Sequence, residues 1–177
     1  MTFAGGSRGK WHVEQSSAIS GPALTRVERV DAVPAHFQPD AAVWALRGVA
    51  GHARYVQAAE KVTLDAISPP LGRPEAARAA LIPIRKTAAW WALSQDERRA
   101  IFEARSRHVS STLKYLPRIA RRLYHARDLG EEFDFLTWFE FASEHIAAFD
   151  ELVGMLRRTE EWSFVEREVD LRLVLTV

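Results

Sequence analysis

The sequence predicts an α+β fold in which one antiparallel sheet carries helices on one face. Three observations predict it: apolar runs typical of strands, helical periodicity between them, and the order of these segments along the chain. From residue 80 onward the order is β-α-β-β-α-β, which is typical of a ferredoxin-like unit. The other face of the sheet then needs a cover, supplied by the N-terminal segment, by a second subunit or by the chain wrapped around a ligand.

The first part of the chain gives weaker signals. Residues 1–41 are rich in small residues and proline and form a poorly defined N-terminal segment. The elements predicted before residue 80 are short strands at 11–15 and 24–33, a strand at 43–49 and a helix at 53–67. Pro69, Pro70 and Gly72 end that helix, because proline and glycine terminate helical segments.

The second part of the chain predicts every element of the ferredoxin-like unit. The predicted elements are strands at 80–86, 118–127, 133–141 and 164–175, with helices at 94–113 and 144–159. Ser94 and Glu97 form a capping box at the start of the first helix, and Ser143 is placed to cap the second. Pro83 indicates a sheet edge or a bulge, because proline cannot donate a hydrogen bond to a neighbouring strand.

Composition limits the classes of function. A chain of 177 residues with 47% apolar and 27% charged residues is typical of one globular domain, spanning 1–177. The net charge of +1 gives no electrostatic case for a nucleic acid or an anionic membrane. The absence of cysteine excludes disulfides, thiolate nucleophiles and iron–sulfur clusters. The sequence shows no leader-like segment and no run of roughly 20 apolar residues. We therefore expect a cytoplasmic protein.

Two polar residues stand where apolar residues are the ordinary choice. His108 follows Ile101 and Ala104 at helical spacing, at the end of an apolar stripe. Arg121 lies on the inward face of a predicted strand. An imidazole and a guanidinium that point into one apolar space need a shared reason. Haem supplies one, because it takes an axial nitrogen ligand on one side and is compatible with a fixed positive charge on the other. The alternative for His108 is an ordinary histidine in the last turn of its helix, where a cation is favoured.

Strand alternation places Arg121 among apolar neighbours. Its face carries Ile119, Arg121, Leu123 and His125, and the partner strand carries Phe133, Phe135, Thr137, Phe139 and Phe141 on one face. Burying an unpaired guanidinium costs several kcal/mol, so a partner or an anionic ligand is expected beside it. The alternative is a register in which Arg122 points inward and Arg121 faces solvent.

The acidic pair after the last helix offers a partner for an iron-ligating histidine. Either Glu160 or Glu161 is a candidate acceptor for the Nδ1–H of such a ligand, which makes the imidazole a stronger electron donor. The alternative is that Arg157 and Arg158 simply neutralise the two acids. Zinc is poorly supported, because the other histidines provide no second ligand at a short spacing such as HxxxH.

A lysine followed by two tryptophans completes the set of candidates. In a haem site Lys86 would pair with a propionate, and Trp90 or Trp91 would pack against the porphyrin edge. The alternative is a solvated lysine beside two core tryptophans. Six tryptophans and nine phenylalanines form a heavy aromatic content that suits a packed core and a flat cofactor alike.

Several runs with defined spacing connect these candidates. The runs are Leu-Ile-Pro-Ile-Arg-Lys-Thr-Ala-Ala-Trp-Trp (81–91), His108, Tyr-Leu-Pro-Arg-Ile-Ala-Arg (115–121), Leu-Tyr-His-Ala-Arg-Asp-Leu (123–129) and Phe-Asp-Phe-Leu-Thr-Trp-Phe-Glu (133–140). Together they resemble the short, dimeric branch of the chlorite dismutase family. The similarity covers residues 44–173 and is densest over 81–170. It implies a fold of the dimeric α/β-barrel superfamily type with a shortened N-terminal half.

The resemblance implies a haem b enzyme that converts chlorite to chloride and dioxygen, working as a homodimer with no nucleic-acid or membrane partner. His108 matches the proximal ligand of the haem iron, Glu161 its hydrogen-bonded partner and Arg121 the distal arginine. The positions that match haem contacts or neighbour them are Lys86, Trp90, Trp91, Phe139 and Tyr55.

Two positions depart from the family pattern. Short-branch relatives carry a distal glutamine that holds the arginine over the iron, whereas this chain has Ser68 at that position. Serine is too short to copy the bond, so the resemblance implies an Arg121 that moves more freely. Longer relatives carry a tryptophan where this chain has Glu168.

The chemistry of the residues agrees with the resemblance. Arg121 would retain the hypochlorite-level fragment left by cleavage of chlorite until the O–O bond forms. A permanent cation that gives up no proton suits anion retention better than a histidine does. Four alternatives stay open: a coproporphyrin-haem decarboxylase, a haem peroxidase or detoxifier of another small oxidant, a non-catalytic haem-binding sensor or carrier, and a haem-free interaction module.

Overall fold

The fold is described from a computed structural model that places residues 1–36, 41–51, 62, 64 and 66–176. The predicted helix at 53–67 lies mostly outside the described residues; within it, residues 62, 64, 66 and 67 are helical. None of the helices in these described ranges is long and apolar enough to cross a membrane.

One antiparallel sheet of nine strands forms the framework. The strands are β1 (Thr2–Gly6), β2 (Trp11–Ser20), β3 (Arg29–Val33), β4 (Trp44–Arg47), β5 (Val49–Ala50), β6 (Arg78–Lys86), β7 (Ala120–His125), β8 (Phe135–Phe141) and β9 (Val165–Leu175). Their order in the sheet is β4-β1-β3-β2-β9-β6-β8-β7-β5. Only Gly48 separates β4 from β5 along the chain, so the two ends of the sheet meet and the sheet closes into a barrel.

The barrel explains what covers the second face of the predicted sheet. The ring of Phe3 in β1 stacks on Trp138 in β8 at a centroid distance of 5.3 Å and meets Tyr124 edge-on at 5.5 Å. Trp11 in β2 meets the same Trp138 ring at 5.6 Å. These aromatic contacts fill the barrel interior. Of the three covers expected for this face, the N-terminal segment is the one observed. Residues 1–41 contribute three strands, β1–β3, instead of the two short strands predicted.

The helices lie on the outer face of the ferredoxin-like half, as expected. The helices are α1 (Ala88–Ala92), α2 (Gln95–Arg99), a π-helix (Ala100–Arg105), α3 (His108–Thr112) and α4 (Ile146–Leu156). The aromatic side chains of Phe139 and Phe141 in β8 pack on Phe149 of α4, at centroid distances of 5.0 and 4.6 Å. The sequence-based prediction of an α+β fold with a β-α-β-β-α-β order is confirmed.

Two helix starts differ in how well they were predicted. Ser94 forms the expected capping box with Glu97, in which each side chain bonds the other residue's backbone N–H. Ser143 does not cap its helix, because it opens a short 3-10 turn before α4 and its Oγ accepts a hydrogen bond from Arg78 at 3.2 Å.

Pro83 lies in the interior of the sheet, so the predicted edge position is wrong. Strand β6 is flanked by β8 and β9, and Pro83 is opposite Leu136 of β8. The pairing with β9 is interrupted between Leu81 and Ile84, and the register shift in β6 comes later, at Lys86. The proline is tolerated because it stands where the ladder to β9 already lacks pairs.

Candidate functional site

A cavity of about 650 Å³ opens between the outer face of the β6–β7–β8 sheet and the helices. This volume lies within the range typical of small-molecule and cofactor sites. The sequence-predicted site residues that line it are Lys86, Trp90, Trp91, His108, Arg121, Phe139 and Glu161. The structure therefore brings together residues that are up to 75 positions apart in sequence.

Arg121 reaches this cavity from the middle of β7. All four residues of the predicted face, Ile119, Arg121, Leu123 and His125, line the cavity. On the opposite face Tyr124 packs in the barrel interior and Arg122 is exposed, although Arg122 also lines the cavity, so the burial pattern confirms the predicted alternation. Arg121 is directly opposite Phe139 in the antiparallel register. The alternative register with Arg121 facing solvent is therefore wrong.

The electrostatic surroundings of Arg121 are unusual for an arginine. Within the described part of the chain, its guanidinium makes no hydrogen bond and no ion pair. Burial lowers the pKa of Arg121 below its ordinary value, but a guanidinium keeps its charge in proteins. A cation that faces an apolar cavity, with no partner among the described residues, can attract a small anion.

His108 lies at the first residue of a helix and not in the last turn of one. The helix that begins after Ser94 changes to a π-helix at Ala100 and ends before Arg107, which adopts a left-handed conformation with φ 50°. The chain then starts α3 at His108. This break overturns two expectations: Ala104 is exposed instead of sharing a stripe with His108, and no C-terminal helix dipole acts on the imidazole.

A hydrogen-bonded chain of charged groups supports the imidazole. Glu161 Oε2 lies 2.7 Å from His108 Nδ1, and Glu161 Oε1 accepts a hydrogen bond from Lys86 Nζ at 2.9 Å. Burial opposes the charge on Glu161, but its electrostatic interactions and hydrogen bonds with His108 and Lys86 prevail and lower its pKa from 4.5 to about 2. An ionised Glu161 accepts a hydrogen bond from the Nδ1–H of His108, so Nε2 is left as the nitrogen available to a ligand.

Lys86 is held at the cavity by protein partners. Its side chain is almost fully buried, and its ammonium bonds both the carboxylate and the backbone carbonyl of Glu161. The same ammonium lies 4.6 Å from the centre of the Trp90 ring. Lys86 therefore lines the cavity as expected and pairs there with Glu161, while its contact with a propionate stays a prediction.

Glu161 is held by its own backbone as well as by its side chain. It lies in a 3-10 helix, Glu160–Phe164, and its N–H donates to Ser106 Oγ at 3.0 Å. The alternative in which Arg157 neutralises Glu161 is wrong, because Arg157 bonds Glu168 and Asp170 instead. Of the acidic pair, Glu161 is buried and meets His108, while Glu160 pairs with Arg105 at the surface.

The remaining predicted residues have different outcomes. Trp91 lines the cavity and stacks on Phe135 at 6.0 Å. Ser68 also lines the cavity, on the segment that follows the predicted helix at 53–67, and Glu168 lines it from β9. Tyr55 lies outside the described residues.

Sequence reasoning missed two residues of the site. Phe102 stacks on the His108 imidazole with a centroid distance of 4.3 Å and an interplanar angle of 17°. Its contact depends on the π-helix, which no periodicity argument predicts. Asp134 accepts hydrogen bonds from Lys86 and Trp91. The sequence did contain a signal for Asp134. Strand alternation places this acid, which lies between Phe133 and Phe135, on the same face as the apolar residues Leu136 and Trp138.

Among the residues that the structure describes, no group of three or more histidines and acidic residues could hold a metal ion. A metal held within a macrocycle needs only one protein nitrogen, which is what His108 offers.

Removing the Lys86 charge should destabilise the protein. In Lys86→Met, Glu161 keeps its buried carboxylate but loses the ammonium, and we expect about 3 kcal/mol less free energy of unfolding. Urea denaturation measures this as a lower midpoint with an unchanged slope. Lys114→Met is the matched control, because Lys114 pairs with Glu151 in full exposure and its loss should leave the midpoint unchanged. Equal midpoints for the two variants would contradict the importance of the buried pair.

Comparison with known proteins gives consistent results. The family model described as chlorite dismutase matches residues 27–175. The crystal structure of dimeric chlorite dismutases from Nitrobacter winogradskyi is similar with a TM-score of 0.93, at 55% identity and 99% coverage of both chains. The chlorite dismutase from Candidatus Nitrospira defluvii in complex with imidazole is similar with a TM-score of 0.63, at 30% identity.

The relatives with longer chains extend beyond this protein. The match to the Candidatus Nitrospira defluvii structure covers 77% of this chain and 56% of that one. The chlorite dismutase of Ideonella dechloratans is 35% identical over 81 residues, which is 46% of this chain but only 26% of that relative. Because the family model covers most of the chain and the Nitrobacter winogradskyi structure covers nearly all of it, this protein belongs to the chlorite dismutase family.

Proposed function

We propose that this protein binds haem b and converts chlorite to chloride and dioxygen, with Arg121 retaining the hypochlorite-level intermediate. One observation carries the proposal: the His108–Glu161–Lys86 chain opens onto the same cavity as Arg121, which has no ion-pair partner among the described residues. Membership of the chlorite dismutase family supports the choice of substrate.

The residues present fit a haem. The cavity is lined mainly by apolar and aromatic side chains, with His108 Nε2 as the available nitrogen donor. Phe139, Trp90 and Trp91 provide flat apolar surfaces of the kind that pack against a macrocycle. When bound, haem would supply the redox-active iron at which the chlorine–oxygen bond breaks.

The protein's own side chains have separate roles in the proposed reaction. Glu161 fixes the His108 tautomer and strengthens its donor nitrogen, because an ionised carboxylate holds the Nδ1 proton. Lys86 keeps Glu161 ionised in a buried position. Arg121 attracts chlorite and then holds the smaller anion by charge alone, without transferring a proton.

We relate the freedom of Arg121 to Ser68, which lines the same cavity. The family resemblance implies a distal glutamine at this position, and a serine hydroxyl is too short to make the bond expected of that glutamine. The lack of a hydrogen bond to Arg121 within the described ranges is consistent with this substitution. We therefore propose that the guanidinium turns toward an anion when one enters the cavity.

We also propose that the protein forms a homodimer. The support is the likeness to the dimeric enzymes from Nitrobacter winogradskyi, which extends over 99% of both chains. Light scattering coupled to size-exclusion chromatography should give about twice the chain mass of 20.0 kDa. A mass equal to that of one chain at micromolar concentration would contradict the proposal.

Oxygen evolution tests the proposed reaction. The purified chain is titrated with haem b, freed of excess haem and mixed with chlorite in an oxygen-electrode cell. We expect a saturable Soret band and release of one dioxygen and one chloride for each chlorite consumed. Free haem at the same concentration is the control for reaction outside the cavity.

The outcomes separate the proposed reaction from its alternatives. A Soret band without oxygen release would refute the dismutase reaction and favour a peroxidase of another small oxidant or a haem sensor. The absence of any saturable Soret band would refute haem binding itself.

A further inference from the structure

Asp134 is a buried carboxylate next to the cavity that no step of the proposed reaction uses. It is 3% exposed and lies directly before β8. Its Oδ2 accepts hydrogen bonds from the backbone N–H of Lys86 at 2.6 Å and from Trp91 Nε1 at 3.2 Å. Its Oδ1 accepts a hydrogen bond from Arg127 at 3.1 Å. A buried carboxylate depends on such partners, and these three donors together stabilise its charge.

The backbone of Asp134 joins two of the segments that its side chain contacts, the end of β6 and the turn after β7. Its N–H donates to the carbonyl of Ile84 in β6 at 2.9 Å, and its carbonyl accepts from Ala126, just after β7, at 2.9 Å. Strand β6 ends at Lys86, where its pairing with β9 shifts register. The carboxylate therefore secures the strand end from which the Lys86 side chain extends.

Two lines of contact lead from Asp134 to the cavity. The first runs through Lys86, whose ammonium bonds Glu161 and thereby supports His108. The second runs through Trp91, whose indole lines the cavity and is bonded by the same carboxylate oxygen. The Arg127 guanidinium lies 4.1 Å from the centre of the Trp91 ring, so its ion pair with Asp134 also positions a cation on the indole.

We propose that Asp134 is a positioning residue of the proposed haem site, acting through Lys86 on the His108 ligand and through Trp91 on the cavity wall. Asp134 does not line the cavity itself, so its effect on a bound cofactor is indirect. The proposal rests on the proposed function, because it assigns Asp134 to the support of the same cofactor.

The asparagine variant tests the proposal with little change in shape. In Asp134→Asn one oxygen is replaced by an amide NH₂, so the side chain can no longer accept from Arg127 and from the Lys86 and Trp91 donors together. We expect haem to dissociate about tenfold faster, as one charge-assisted interaction is lost. The Fe–His stretching frequency of the reduced protein should shift in the same direction as in Lys86→Met, because both variants disturb the support of His108.

Two further variants separate positioning from general damage to the fold. Asp128→Asn is the matched control, because Asp128 is an exposed acid on the turn between β7 and β8, and haem dissociation and the Fe–His frequency should stay at wild-type values. Trp91→Phe removes the indole donor but leaves Asp134 and Lys86 joined, so haem should dissociate faster at an unchanged Fe–His frequency. This variant tests the second line of contact even where Asp134→Asn does not fold.

The results distinguish failure of this proposal from failure of the proposed function. A wild-type protein that takes up no haem would refute the proposed function and, with it, any role of Asp134 toward that cofactor. A wild type that binds haem, with an Asp134→Asn variant equal to it in dissociation rate and Fe–His frequency, would refute the role of Asp134 alone. A shift of the Fe–His frequency in Trp91→Phe as large as in Asp134→Asn would contradict the division into two lines of contact.

Discussion

Replacing His108 with alanine is expected to abolish saturable haem binding. The Nδ1 of His108 is hydrogen-bonded to Glu161, so its Nε2 is oriented and free to bind iron. The variant keeps the cavity, and adding free imidazole should restore a Soret band by filling the vacated volume. Absorbance titration with haem b measures both effects.

The control for this experiment is a histidine that plays no part in the site. His12 is exposed on β2, and His12→Ala should bind haem as the wild type does. Haem uptake by His108→Ala equal to that of His12→Ala, without added imidazole, would show that another group ligates the iron. The proposed proximal role of His108 would then be wrong.

Replacing Arg121 with alanine is expected to leave haem binding intact but to lower oxygen release from chlorite by roughly tenfold to a hundredfold. The range follows from the loss of one interaction between a charged donor and a small anion, about 1.5–3 kcal/mol. The haem of this variant should also bleach faster during turnover, because an oxidising anion that is not retained attacks the protein and the porphyrin. Initial oxygen rates and the decay of the Soret band give the two readouts.

Arg118→Ala is the matched control for Arg121→Ala. Arg118 is exposed just before β7, so its removal subtracts the same charge outside the cavity. Its oxygen rate and bleaching should match the wild type. If Arg121→Ala and Arg118→Ala show the same rate of oxygen release and the same rate of haem bleaching, charge in the cavity does not retain the intermediate.

A stability measurement on the same position gives independent information. The half-buried guanidinium of Arg121 has no ion-pair partner among the residues that the structure describes, and such a charge costs free energy in the protein without ligand. We therefore expect Arg121→Met to unfold at an unchanged or higher urea concentration. The residue would then be retained for function at the expense of stability. A clear fall in the midpoint would indicate that Arg121 has a structural partner.

The ferredoxin-like half could be predicted well because its signals are local. Alternation in β7 placed Arg121 on the cavity side, and the aromatic alternation in β8 placed Phe139 opposite it. Both placements depend only on the two-residue period of a strand, which does not change with the tertiary surroundings of the strand. Phe133 is the exception: it precedes β8 and packs inside the barrel, so the period does not apply to it.

The helix that leads to His108 could not be predicted correctly from local sequence patterns. A strict α-helical period from Ser94 predicted a stripe through Ile101 and Ala104. The π-helix adds a residue to one turn, as shown by the bond from the Ser106 N–H to the Ile101 carbonyl at 3.0 Å. The extra residue in this turn rotates the following residues about the helix axis, so Phe102, and not Ala104, contacts the imidazole of His108. Nothing in the helical propensities of these residues marks the change.

The sequence by itself determined which side chains of β7 and β8 face the cavity, because the alternation of a strand is a local property of the chain. Only the tertiary structure decided how the buried charges near it are paired. Lys86, Glu161 and Asp134 come from three separate segments, and a buried charge takes as its partner whichever opposite charge or donor the fold brings within hydrogen-bond distance. The closure of the barrel by β1–β5 was decided in the same way, since the weak N-terminal strands gain their stability from the aromatic interior they help to enclose.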